Sequence, residues 1–152
     1  MGNEIISSIA RTYQYISRID IQADYFEEIS NRDVEHLKYI HSGICLKAIE
    51  KFAVNWLQKS IRMLFNRFTD ISTLPERMKD EESVVMEYRM KDGSWHSLRF
   101  IEKKRDENGR LTHVLCAIRS ISDAKRREQT LIYQAAEAKK DAAVKNPDFC
   151  LI

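Results

Sequence analysis

The stretch Val84-Val85-Met86-Glu87-Tyr88-Arg89-Met90-Lys91-Asp92-Gly93-Ser94-Trp95 decides how this chain is read. Val84, Met86, Tyr88 and Met90 alternate with Val85, Glu87, Arg89 and Lys91, the period of two that marks a strand with one face on a core. Asp92-Gly93 then signals a tight hairpin turn, because such turns need positive φ, which Gly adopts without strain. Leu98 and Phe100 resume the alternation beyond it. Asn108-Gly109 is a second turn of the same kind, and the run from Leu111 to Ile121 is apolar on both parities, with Val114, Cys116 and Ile118 on one and Leu115, Ala117 and Ile121 on the other. A strand with no polar face has no side for water and belongs mid-sheet. The sequence therefore predicts antiparallel strands over 84–90, 95–104 and 111–121.

Working outward toward the C-terminus, Ser122 and Asp123 are both good helix caps, and no breaker follows until Pro147, so a helix is predicted over 123–146, with a tail over 147–152. Ile121, Ala124, Leu131, Ala135, Ala138 and Ala142 fall on a 3,4 repeat that includes the polar Glu128, a coiled-coil-like seam kept thin by its alanines. Toward the N-terminus, Tyr13, Tyr15 and Ile19 alternate, Gln22-Ala23-Asp24 breaks the run, and Tyr25, Phe26 and Ile29 follow, which predicts a hairpin. Ahead of it, Ile5, Ile6 and Ile9 predict a short amphipathic flanking helix over 1–12.

Between Ser30 and Lys79 the period is helical. Ile49, Phe52, Ala53, Trp56, Leu57, Leu64, Phe65 and Phe68 form one apolar stripe over about 45–68 with no Gly or Pro, and Gly43 separates it from an earlier short helix carrying Leu37, Ile40 and Ile44. Thr73-Leu74-Pro75-Glu76 matches a capping box opening a further short helix that ends near Lys79 or Asp80.

The 152 residues suit one domain, and 43% hydrophobic with 32% charged residues is too apolar a mixture for a disordered chain. A net charge of +2 supplies no electrostatic reason for a nucleic-acid partner. No apolar run approaches a membrane span, and the opening residues do not read as a signal peptide. Ile6 and the two residues after Cys150 fail the myristoyl and prenyl signals. Cys45, Cys116 and Cys150 are sparse and lack CxxC spacing, which implies reduced thiols and a cytoplasmic location.

Two strands, several helices, three strands and a departing helix is the order of a PAS domain. The resemblance is carried by Glu87-Tyr88-Arg89, Lys91-Asp92-Gly93-Ser94-Trp95, Asp106-Glu107-Asn108-Gly109-Arg110 and Ile121-Ser122-Asp123, which look like the C-terminal half of the PAS domains of bacterial sensor proteins. It implies an α+β fold: a five-stranded antiparallel sheet with helices on one face, occupying residues 13–122 and flanked by amphipathic helices. The helical stretch over 45–68 is longer than the PAS pattern. The run from Ala135 to Asn146 resembles the linker into a histidine-kinase or diguanylate-cyclase domain, although neither a phosphoacceptor His motif nor a GGDEF motif follows.

Several residues invite chemistry. His41 and Cys45, four apart, would share a helix face as metal or haem ligands do, but Gly43 between them marks a helix end and a lone Cys is more often a small hydrophobe. His36 offers haem ligation on equally thin grounds, and His96 and His113, near strand ends, are expected in water. Gly43-Ile44-Cys45-Leu46 departs from the Asn-Cys-Arg-Phe-Leu-Gln motif of flavin photosensors at nearly every position, so neither a flavin adduct nor haem is expected. Catalytic serine, paired-carboxylate, zinc-protease and phosphate-loop motifs are missing from the sequence. The remaining candidate is the space between sheet and helices, where Tyr88, Leu98, Phe100, Val114, Cys116 and Ile118 would meet Phe52, Trp56 and Phe65; so many large side chains favour a filled core or a very small cavity.

These readings predict a non-catalytic sensory and dimerisation module. It would act as a homodimer, with or without a small-molecule ligand, and relay packing changes through Asp123, Leu131, Ala135 and Ala138 to an output kinase or cyclase domain. A ligand-free structural dimerisation module is the near alternative. A small steroid-isomerase-like α+β enzyme is the distant one, and it is disfavoured because those folds usually begin with helices rather than a hairpin.

Overall fold

The computed structural model describes residues 12–33, 36–37 and 41–145, so the expected helix over 1–12 and the tail over 147–152 lie outside the described residues, Thr12 apart. The chain divides into two compact units, residues 1–120 and 121–152. The first contains β1 (Tyr15–Asp20), β2 (Tyr25–Asn31), β3 (Ser42–Ile44), α1 (Cys45–Trp56), α2 (Lys59–Phe68), a 3-10 turn (Ile71–Thr73), α3 (Leu74–Arg77), β4 (Ser83–Arg89), β5 (Trp95–Arg105) and β6 (Leu111–Ser120). The second is α4 (Ser122–Lys145). The fold is α+β, with one antiparallel sheet.

Among the described residues the sheet has six strands in the order β3-β2-β1-β6-β5-β4. The doubly apolar β6 lies inside it, paired with β1 and β5. Both turn signals are realised. Gly93 (φ 88°) and Gly109 (φ 80°) take the left-handed backbone that joins β4 to β5 and β5 to β6. In the second turn the Asp106 carboxylate accepts the N–H groups of Asn108 and Arg110, each at 2.9 Å.

The sheet has one strand more than the five expected. The additional strand, β3, surrounds Gly43, whose φ of 146° lies outside helical space, and it pairs with the outer edge of β2. Ile44 therefore belongs to a strand rather than to a short helix with Leu37, and Ile40 lies outside the described residues. His41 and Cys45 share no helix face either: His41 precedes β3, and Cys45 opens α1.

The apolar stripe over 45–68 is two helices, broken at Leu57-Gln58, where both residues are extended. The break drives Leu57 fully into the core, a burial worth about 1.5–3 kcal/mol. It also leaves the last α1 carbonyls without helical donors, and others replace them. Arg62 donates to the carbonyls of Leu57 (2.9 Å) and Val54 (3.3 Å), the Lys91 ammonium to Val54 (2.9 Å), and the Lys91 N–H to Trp56 (2.7 Å). Because the break resets the helical phase, Ile61, Phe65 and Phe68 pack against the core while Leu64, expected inside, is exposed.

The expected capping box does not form. The 3-10 turn runs directly into α3, Thr73 turns its hydroxyl back to donate to the Asp70 carbonyl (2.7 Å), and it is the Asp70 carboxylate that receives the Ser72 N–H. A main core cluster joins α1, α2, the 3-10 turn and α3 to one face of the sheet, through residues such as Phe52, Leu57, Phe65, Leu74, Tyr88 and Phe100. Ile16, Leu115 and Ala117, of opposite parity, form a smaller second cluster.

Candidate functional site

Alternation places Leu98 and Phe100 of β5 on the same face as their partners Ile118 and Cys116 of β6 and as Tyr15, Ser17 and Ile19 of β1. Between these residues and Ala48, Ile49, Phe52 and Phe65 of the helices lies a cavity of about 70 Å³. That is about half the ~150 Å³ of an engineered apolar cavity that admits benzene. The space takes a group of a few heavy atoms and is well short of the ~300 Å³ at which drug-sized ligand pockets begin.

The polar atoms around this space are weak acids. Beside the Ser17 hydroxyl they are the phenol of Tyr15 and the thiols of Cys45 and Cys116. Burial, and then the neighbouring Asp24 carboxylate, push the Cys45 thiol up to about 12. Burial, with a smaller contribution from Cys45, pushes Cys116 further, and burial followed by Cys116 raises Tyr15 strongly. All three are therefore neutral at physiological pH.

A second, polar cluster lies where β5 begins. His36 Nδ1 is 3.2 and 3.3 Å from the two carboxylate oxygens of Asp33, and its Nε2 is 2.8 Å from Asp92 Oδ2. The Asp33 carboxylate also receives the His36 N–H at 3.0 Å. The His36 ring stands edge-on to Trp56 at 4.5 Å and to His96 at 5.3 Å, and His96 stacks on Tyr88 at 6.0 Å. Burial works to lower the His36 pKa, but the hydrogen bond to Asp92 and the charge of Asp33 outweigh it, and the pKa rises above its ordinary value. Burial would raise Asp92, yet its bonds to Ser94 and His36 prevail and hold it at about 2. A cleft of about 280 Å³, which Gln14, Ser94 and Ser120 also line, opens beside the cluster.

Of the residues named from sequence, Phe52, Phe65, Leu98, Phe100, Cys116 and Ile118 line the cavity. Tyr88 and Val114 are buried in the same core without lining it, and Trp56 packs at its margin against His36. His96 corrects an expectation: it is 3% exposed, not in water. Parity carried the signal, since His96 shares the inner face with Leu98 and Phe100. His113 is part-exposed, 3.5 Å from Asp20. No sequence pattern joins Asp33 to His96, because only the fold brings the end of β2 to the start of β5.

In α4, Asp123 occupies the first turn and pairs with Arg126 at 2.6 Å. Leu131, Ile132 and Tyr133 are each more than 60% exposed, and Ala135 and Ala138 are exposed too. No helix among the described residues is long and apolar enough to cross a membrane.

No protein-family model and no curated protein matches the chain. Solved structures do. A sensory box histidine kinase/response regulator from Burkholderia thailandensis superposes with a TM-score of 0.53 at 12% identity, covering 83% of this chain and 90% of that one. The fold is PAS-like. Two looser likenesses, each with a TM-score of 0.41 over 78% of this chain, are to a domain named for a light and redox sensing histidine kinase of Haloarcula marismortui (12% identity, 98% of that chain) and to a C-terminal domain from Streptococcus mutans (14% identity, 83% of that chain). The PAS-like assignment rests on the first together with the sheet order.

Proposed function

We propose that this chain is a non-catalytic sensory module that works as a homodimer and relays a change of core packing through α4 to an output domain of the kinase or cyclase type. The observation that carries the reading is the passage from sheet to helix. The inner strand β6 ends at Ser120, and after Ile121 the chain enters a 24-residue helix that exposes Leu131, Ile132 and Tyr133. An inner strand is held on both edges, so a shift in its packing displaces the start of the following helix. Exposed apolar residues on a long helix are what a partner helix would cover. The module is read as cytoplasmic on its sparse cysteines, which lack CxxC spacing.

A ligand-free dimerisation module is the second reading, favoured by the size of the cavity. The domain would then occupy residues 13–122, the relay helix 123–146 and the tail 147–152. Light scattering tests the relay surface: the chain is expected to be dimeric, and Leu131→Asp with Ala135→Asp to be monomeric with an unchanged circular dichroism signal for the sheet. A dimer that survives both substitutions overturns the proposal. Native mass spectrometry of the purified chain separates the two readings, because a retained small molecule favours sensing and the bare mass favours the ligand-free module.

A further inference from the structure

The cluster at the start of β5 is unusual for a core. Asp33 and His96 are both buried, at 8% and 3% exposure, and the His36 side chain is as shielded. Burying ionisable groups is costly unless they are paired or bound to an ion. We propose that Asp33, His36 and His96 form a binding site for a divalent first-row transition-metal ion, zinc(II) above all, held by one carboxylate oxygen and one nitrogen from each imidazole.

Three observations carry this independently of the relay reading. The ligand atoms of the three residues all lie within 4.8 Å of one another. His36 Nδ1 and the Asp33 oxygens, at 3.2 and 3.3 Å, are already at about the ~3.3 Å edge of a tetrahedron with bonds of about 2.0–2.1 Å, so His96 is the ligand that closes in. On the far side of the ring, Nε2 donates to Asp92 at 2.8 Å, the carboxylate-on-imidazole support that fixes metal-bound histidines.

A further polar atom is at hand. Among the described residues the Tyr88 hydroxyl is buried with no hydrogen-bond partner, and its ring stacks on His96. A water would fill the fourth position. The open cleft gives an ion and its water a route in, and Arg32 on that cleft is engaged by the Tyr13 carbonyl at 2.8 Å. Two nitrogens and one carboxylate suit zinc, nickel, copper or iron better than magnesium or calcium, which prefer all-oxygen shells. Coordination replaces the Nδ1 proton of His36, so binding releases a proton to the buffer.

Titration calorimetry of the tag-free full chain with zinc chloride, run in two buffers of different ionisation enthalpy, tests the site. One equivalent is expected, with a buffer-dependent heat, and cobalt(II) in its place should give the visible bands of a four-coordinate ion. His36→Gln and His96→Gln should each weaken binding at least about 100-fold, and Asp92→Asn about 10–100-fold. His41→Gln and His113→Gln should leave it unchanged. The proposal is overturned if the chain takes up no zinc, if cobalt stays six-coordinate, or if uptake survives His36→Gln in a variant with wild-type circular dichroism. Should the two histidine variants fail to fold, the turn variant Asp92→Asn decides: a fall in affinity supports the site, and unchanged affinity overturns it. A chain that binds no zinc leaves the dimer test above untouched.

Discussion

His96 and Leu98 stand two residues apart on the same face of β5, and they finish two different regions. Leu98 faces Ile118 across the strand pair and lines an apolar cavity whose ionisable groups, Tyr15, Cys45 and Cys116, are all neutral at physiological pH. His96 faces Ser120 and joins a corner of histidines and carboxylates. One step along a strand separates a space shaped by packing from a cluster shaped by charge, and Tyr88 bridges them, with its ring against Phe52, Phe65 and His96. The difference teaches that the inner face of a half-buried sheet need not have one chemistry. Where the helices cover it the residues are apolar, and where loops close it, polar groups can be buried if they pair.

Alkali should separate the two regions most sharply. Tyr15, Tyr88, Cys45 and Cys116 all have pKa values raised by burial. A group whose pKa is higher in the folded state contributes stability that is complete below its ordinary value and is lost as pH rises through the folded one. For Cys45 that window runs from 9.0 to about 12. The core is therefore expected to loosen progressively from about pH 9 upward, with both thiols unreactive toward an alkylating agent at pH 7–8 in the native state and reactive in urea. Rapid alkylation of Cys116 at neutral pH would break the contrast between a dry cavity and a wet corner.

Phe52→Ala tests the cavity itself. Removing a buried phenyl ring costs about 3–5 kcal/mol in a urea titration. It also enlarges the space toward the ~150 Å³ at which benzene enters, so benzene should raise the melting temperature of the variant and not of the parent chain. A cost below about 1 kcal/mol would mean that the helices collapse onto the gap and that the cavity is not fixed by the fold.

His36→Leu tests the corner. The substitution keeps bulk against Trp56 but removes the bonds to Asp33 and Asp92, and losing hydrogen bonds to charged groups costs about 1.5–3 kcal/mol in the metal-free chain. A neutral result would class the corner with ordinary surface pairs.

The two regions also differ in how far the sequence disclosed them. The cavity's sheet side follows from alternation, since period two sorts Leu98, Phe100, Cys116 and Ile118 onto one face without any knowledge of the neighbours. Turn chemistry at Gly93 and Gly109 places the strands, which is why β4 to β6 were legible almost to the residue. The break at Leu57-Gln58 was not, because no Gly or Pro marks it and the compensating donors, Arg62 and Lys91, lie outside the local pattern. β3 was missed for a similar reason: three residues around Gly43 form a strand only because the edge of β2 is there to pair with. The corner needed still more, because Asp33, His36, Asp92 and His96 are joined by tertiary closure alone, and only the parity of His96 hinted that it faces inward.

The smallest expected effect comes from a second histidine–carboxylate pair that copies the chemistry of the first without its burial. His41 Nδ1 lies 2.6 Å from Glu28 Oε2, but the His41 side chain is 71% exposed, whereas that of His36 is 6% exposed. Solvent around His41 screens its contact with Glu28, and ordering two side chains offsets the attraction, so a pair with one partner in water contributes about 0–1 kcal/mol. His41→Gln should therefore change stability by less than about 1 kcal/mol, with the difference vanishing in high salt. The same urea titration in 1 M sodium chloride should leave most of the His36→Leu loss in place, because a shielded pair exchanges little with the ion atmosphere. If salt erased both losses alike, burial would not be what distinguishes the corner, and the argument that Asp33, His36 and His96 are held ready for a ligand would lose its electrostatic basis.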